Sequence, residues 1–253
     1  MATIQEQYDK LIANFQKRCA TWKTQNPTMD FVFNNDLRGK SIDSLEYIFI
    51  GDNPGKTEKN KGMYLVNEPA KPNNSGTIAK GIFDVICPSG NYIVLNKTPI
   101  HTDKTSNLQK YKDDKILGTS LRYMAKLLYK IHCLKLDAKV FIFGFGDGCF
   151  HPKSYDKNGN LSAFFEHLKI LYKEKPWDAV PRIMKHFSYY NFFESFSYYT
   201  EETKGVSLCK NLTLDDMKKV GFPLPQLLHC IDELPYRYYL FGKKKVNYVV
   251  CPK

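Results

Sequence analysis

The chain of 253 residues is 43% hydrophobic, enough apolar material to bury a sizeable core in one large domain or two small ones. Its 37 Lys and Arg against 26 Asp and Glu leave a formal net charge of +11, a balance that favours a polyanionic partner, nucleic acid being the commonest. Residues 1–24 alternate charged and apolar positions without a signal-peptide pattern, and no stretch approaches the ~20 apolar residues that span a bilayer, so membrane association is not expected and the expected location is cytoplasmic, or nuclear in a eukaryote.

In chain order, residues 4–22 predict an amphipathic helix with Ile4, Tyr8, Leu11, Ile12, Phe15 and Trp22 on one face. Tyr47 to Ile50 is a short apolar run ending at Gly51, which reads as a buried strand, and Tyr92 to Leu95 repeats the pattern up to Asn96. Leu117, Leu121, Met124, Leu127, Leu128 and Ile131 form a helical stripe. A third strand is predicted over Val140 to Phe145, then a second stripe of Leu161, Phe164, Phe165, Leu168 and Leu171, then a short strand over Arg182 to Lys185. Residues 214–229 suggest a further helix interrupted by Gly221 and Pro223. Tyr236 to Phe241 and Val246 to Cys251, flanking Gly242-Lys243-Lys244-Lys245, suggest a β-hairpin with a basic tip.

Alternating strands and helices imply a three-layer α/β/α fold around a central, mostly parallel four-stranded sheet, with the C-terminal hairpin as an extension. No repeat, low-complexity tract or linker divides the chain, so residues 1–253 read as one domain. The 7 cysteines are odd in number and scattered, with no C-x-x-C pair, a pattern unlike a disulfide framework, a zinc ribbon or an iron–sulfur cluster. No metal and no cofactor is implied.

Ligands of such sheets bind at the carboxyl ends of the strands. Three features fall there: Gly51-Asp52-Asn53-Pro54-Gly55, Asn96 and His186. The first runs on into Lys56-Thr57, but a phosphate-binding loop needs four residues between its glycines, and only three separate Gly51 from Gly55. Its glycines and proline instead let the backbone turn sharply and approach a ligand closely, while Asp52 and Asn53 project from a strand end.

Ile50-Gly51-Asp52-Asn53-Pro54-Gly55 resembles the first motif of the uracil-DNA glycosylase superfamily, in the G-x-N-P-G form of its mismatch-specific and single-strand-selective branches. Gly62-Met63-Tyr64, Asn96 at the end of its strand, and Lys185-His186-Phe187-Ser188 match later motifs in order, with Phe187 where the family has Pro; the resemblance covers about residues 45–200. It implies a DNA glycosylase acting in base excision on uracil or a related deaminated or damaged base, in single- or double-stranded DNA, as a monomer. By that resemblance Asn53, or Asp52, positions the hydrolytic water, and His186 stabilises the anionic base. Tyr64 stacks on the flipped base and Asn96 reads its edge, with Gly51, Pro54 and Gly55 shaping the pocket. Ser188, Tyr189 and Tyr190 sit in a loop that meets DNA, with Lys56 on a phosphate. A non-catalytic nucleic-acid-binding protein of the same fold, and a nucleotide hydrolase or transferase using residues 51–57, are the alternatives.

Overall fold

The computed structural model describes residues 2–68, 70, 74–111, 114–144, 161–184 and 241. The predicted helix at 214–229 and the basic hairpin lie outside these residues, as do His186, Ser188, Tyr189 and Tyr190.

Four strands form one sheet: β1 (Tyr47–Gly51), β2 (Tyr92–Asn96), β3 (Lys139–Ile142) and β4 (Arg182–Ile183). All pair in parallel in the order β2-β1-β3-β4, so β1 is central. Every residue of β1 is buried, because a parallel strand covered on both faces has no solvent side. The register sets Gly51 beside Asn96, so the residues that follow, Asp52 and Lys97, emerge side by side. Strands β3 and β4 stop at Ile142 and Ile183, earlier than the predicted ends at Phe145 and Lys185, which both lie outside the described residues.

Helix α1 (Ile4–Gln25) starts at a capping box, in which Glu6 N–H donates to Thr3 Oγ1 while Thr3 N–H donates to the Glu6 carboxylate. It buries Tyr8, Ile12, Phe15, Cys19 and Trp22, but Ile4, expected on the same face, is 47% exposed because it sits in the first turn, beyond the reach of the core. Helix α4 (Lys115–Leu134) packs against α1 and against α5 (Ser162–Leu171). Between β1 and β2 lie two helices that the sequence reading did not predict, α2 (Lys56–Lys61) and α3 (Ser75–Ile86). Helix α3 presses Phe83 flat onto Phe49 of the central strand, with centroids 3.8 Å apart. Tyr92 meets both rings edge-on, at 5.3 and 5.4 Å. Such aromatic pairs add about 0.5–1.5 kcal/mol beyond the area they bury. With α3 on one face and α4 with its neighbours on the other, the arrangement is a three-layer α/β/α fold.

No helix among the described residues is long and apolar enough to cross a membrane. No group of three or more His, Cys, Asp or Glu among them is arranged to hold a metal ion.

Candidate functional site

At the carboxyl ends of β1 and β2 the chain leaves a cavity of about 350 Å³. Its walls come from three segments: Gly51, Asp52, Asn53, Gly55 and Lys56 after β1; Leu65 and Val66 before α3; and Asn96 with Thr102 and Lys104 after β2. Asn74, Ser75 and Gly76 at the start of α3 complete it.

Asn53 is oriented by its neighbours. Its Nδ2 donates to Thr102 Oγ1 at 2.8 Å, and that hydroxyl spends its own proton on Lys104 O, also at 2.8 Å. Thr102 Oγ1 therefore only accepts from Asn53, which places the amide nitrogen on that side and turns Oδ1 away. Asn53 Oδ1 is buried with no hydrogen-bond partner among the described residues.

Asn96 is 1% exposed, and neither its Oδ1 nor its Nδ2 has a partner among the described residues. A Cβ placed on Gly51 would lie 2.6 Å from Asn96 Oδ1, so the approach of the two strand ends depends on glycine at that position. Leaving a buried amide unsatisfied costs about 1–3 kcal/mol per group. Three such atoms sit on two side chains that line the cavity.

Asp52 is engaged differently. Its carboxylate pairs with Lys97, whose ammonium also donates to Phe143 O and lies 5.4 Å from the centre of the Phe165 ring. The Lys97 side chain is fully buried and the Asp52 side chain is 11% exposed. Motif reasoning passed over Lys97, because a lysine after Leu95-Asn96 looks like any solvated residue; the strand register is what brings it to Asp52.

Glu58 holds two cavity walls together: its carboxylate accepts from Gly55 N–H on one segment and Leu65 N–H on the other. Burial pushes its carboxyl above the usual range, while those two N–H groups and the nearby His101 pull the other way. Glu58 thereby fills the start of α2, where a nucleotide phosphate would need the same N–H groups. Pro54 is buried and outside the cavity lining; its carbonyl accepts from Thr102 N–H at 3.2 Å and faces His101 Nδ1 at 2.9 Å, so it shapes the turn.

The expected stacking role of Tyr64 is corrected by its placement. It is 3% exposed, its hydroxyl donates to Val32 O at 2.6 Å, its N–H donates to the buried Asn34 at 3.3 Å, and it does not line the cavity. The polar tip of a tyrosine seeks a partner when buried, and Val32 O supplies one inside the core. The next residue, Leu65, takes a left-handed conformation at φ 48°, which costs a non-glycine residue about 1–2 kcal/mol.

The structure thus brings Gly51, Asp52, Asn53, Gly55, Lys56 and Asn96 together at one cavity, and moves Pro54 and Tyr64 behind its wall. His186, Ser188, Tyr189 and Tyr190 fall outside the described residues. No protein-family model matches the chain, and neither a curated protein nor a solved structure matches it.

Proposed function

We propose that the protein is a DNA glycosylase of the uracil-excising type, hydrolysing the N-glycosidic bond of a base flipped into the cavity between β1 and β2. One observation carries the reading: the buried Asn96 amide and the Oδ1 of the half-buried Asn53, on two side chains that line the hollow at the strand ends, have no hydrogen-bond partner among the described residues. A planar base with adjacent N–H and C=O groups satisfies Asn96, which offers a donor and an acceptor on one side chain. Asn53 Oδ1, on a side chain that lines the same cavity, is an acceptor without a partner among the described residues, as holding a water by its O–H requires. Asp52, committed to Lys97, is the less suited of the two to that task.

In this mechanism the base leaves the duplex stack before its glycosidic bond can be reached. Bond breaking leaves an oxocarbenium-like sugar and an anionic base. Asn53 places water for attack on C1′. His186, carried over from the motif resemblance, donates to the base oxygen as it gains charge, so its strength is realised in the transition state. No step calls on a metal or a covalent lysine.

The test is single-turnover excision on oligonucleotides carrying uracil, hypoxanthine, xanthine or a modified uracil, single- and double-stranded, with alkaline strand scission as readout. Asn53→Ala and His186→Ala are each expected to slow excision at least ~100-fold, the loss of one positioned transition-state group. Unchanged rates in both variants remove the mechanism. Salt-sensitive binding to every oligonucleotide with no excision of any base points to a non-catalytic DNA-binding protein instead.

A further inference from the structure

We propose that the groove between α1 and α4 is a nucleic-acid-binding site separate from the excision cavity, and that it takes the backbone of a single strand. The inference goes beyond the base-excision reading, and the two hollows share no lining residue.

The groove has a volume of about 530 Å³. Lys17 and Arg18 line it from α1, Lys126 and Lys130 from α4, so both walls carry the same charge. Lys126 and Lys130 are also neighbours one turn apart on their own helix, an arrangement that disfavours itself without a counter-ion. None of the four forms a salt bridge among the described residues, whereas Lys23 and Lys59 share Asp30 and Lys80 pairs with Asp84. The local sequence keeps it so. Helix α4 contains four Lys or Arg and no Asp or Glu, and the acidic residues of α1, Glu6 and Asp9, lie in its first two turns. Arg18 is steadied against the rings of Trp22 and Tyr123. Toward α5, His167 Nε2 is buried with no hydrogen-bond partner among the described residues, and Arg122 and Lys126 lie close enough to disfavour its charge.

The groove leads away from the cavity. Ser120 marks the level of the strand ends, because its hydroxyl meets that of Thr98 at 2.8 Å, just beyond Asn96. Lys126 and Lys130 lie about 9 and 15 Å further along the helix axis. Their charges form a row, which suits a chain of phosphates better than a lone anion. Leu127 and Tyr123 add apolar lining, which a sugar–base chain uses and an inorganic anion does not. Helices packed at about 8–10 Å between axes leave a trough one strand wide, with a duplex resting on its rims.

Fluorescence anisotropy compares an undamaged oligothymidylate single strand with a duplex of the same length. The proteins are the unaltered chain, Lys126→Gln with Lys130→Gln, and Lys17→Gln on the facing wall. All three lysines are exposed, and Gln matches Lys in helix propensity, so melting is expected to be unchanged. Lys135→Gln with Lys173→Gln, at residues that line neither hollow, is the charge control. The α4 double variant is expected to weaken single-strand binding at least ~5-fold, and each groove variant to flatten log affinity against log salt by roughly 0.7 per phosphate released. Equal losses in the control overturn the proposal, because bulk charge then does the binding. Tighter binding of the duplex, lost to the same degree in the groove variants, overturns the single-strand assignment. Photo-cross-linking with a strand carrying 5-iodocytosine locates the contact: adducts on α1 and α4 are expected, and adducts confined to the cavity residues overturn it. Phosphatidylserine vesicles that lose binding in the groove variants, while oligonucleotide binding is kept, also overturn it. Strand binding in the groove with no excision of any base removes the base-excision reading and leaves this one standing. Normal excision with unimpaired binding in the groove variants does the reverse.

Discussion

Lys97 shows how one residue ties the site to the core. Its ammonium is removed from water altogether and is compensated by the Asp52 carboxylate and the Phe143 carbonyl. Breaking a buried pair by deleting one partner typically costs about 3–5 kcal/mol, because the other charge is left uncompensated. Lys97→Met is therefore expected to lower unfolding free energy by a figure of that order in urea denaturation. Adding Asp52→Asn to the same variant recovers part of the loss, since a neutral pair leaves no orphaned charge. If the single variant unfolds like the unaltered protein, the pair has no structural role. Asn53 and Asn96 make the contrasting case: three polar atoms of these two cavity-lining side chains have no partner among the described residues. A fold tolerates such atoms where function requires them and strengthens itself elsewhere.

At the scale of elements, α3 depends on a close approach that no other residue type permits. A Cβ on Gly76 would lie 2.1 Å from Val66 O and within 3 Å of the Val66 backbone carbon and nitrogen. Gly76→Ala is expected to destabilise by about 1–3 kcal/mol, the usual cost of forcing an atom into a packed position. Gly118→Ala on α4 is the control: its nearest neighbour is the flexible end of Arg122, at 3.4 Å. Alanine there is expected to be neutral or to stabilise by up to ~1 kcal/mol, through its better helix propensity. Thermal unfolding of the two variants side by side separates crowding from propensity.

Much of this layer was legible in the chain. β1 and β2 read as apolar runs closed by Gly51 and Asn96 because strands buried on both faces need no polar alternation. The stripes of α4 and α5 followed from helical spacing. Helix α3 carried a signal that went unread: Asn74 as its cap, with Ile78, Ile82, Phe83 and Ile86 on one face. The Asn53 and Asn96 positions came from motif order at strand ends. Tyr64 went astray for a reason spacing does not reveal. Hydrogen bonds to Val32 and Asn34, from elsewhere in the chain, hold Tyr64 in the core, while the neighbouring Leu65, in a left-handed conformation, lines the cavity. Lys97 was equally hidden, because its partner is chosen by register between strands.

For the whole molecule, the excess of positive charge has a local expression. A groove of about 530 Å³ between α1 and α4 is lined by Lys17, Arg18, Lys126 and Lys130, with no acidic side chain among its lining residues. The guanidinium of Arg18 lies 5.9 Å from the centre of the Trp22 ring and 5.8 Å from that of Tyr123, which steadies it at the surface. Nearby, burial, with Lys126 and Arg122 adding to it, holds the His167 imidazole below its ordinary pKa. Such a groove suits a phosphate backbone. Lys17→Glu with Lys126→Glu is expected to weaken oligonucleotide binding uniformly across sequences, and to flatten the dependence of log affinity on log salt by roughly one unit for each phosphate no longer neutralised. Fluorescence anisotropy over a salt series measures both. An unchanged slope leaves this groove without a part in oligonucleotide binding.

The strand order also governs how the chain is assembled on the ribosome. The central strand finds its first neighbour at Tyr92, but its other edge pairs with a segment that begins only at Lys139. Until that stretch has emerged, one edge of the central strand offers bare amide and carbonyl groups to whatever passes. Non-local pairing of this kind slows folding and lengthens the interval of exposure. The segments that line the pocket, between Gly51 and Thr105, thus leave the ribosome before the strand that covers the other edge of β1.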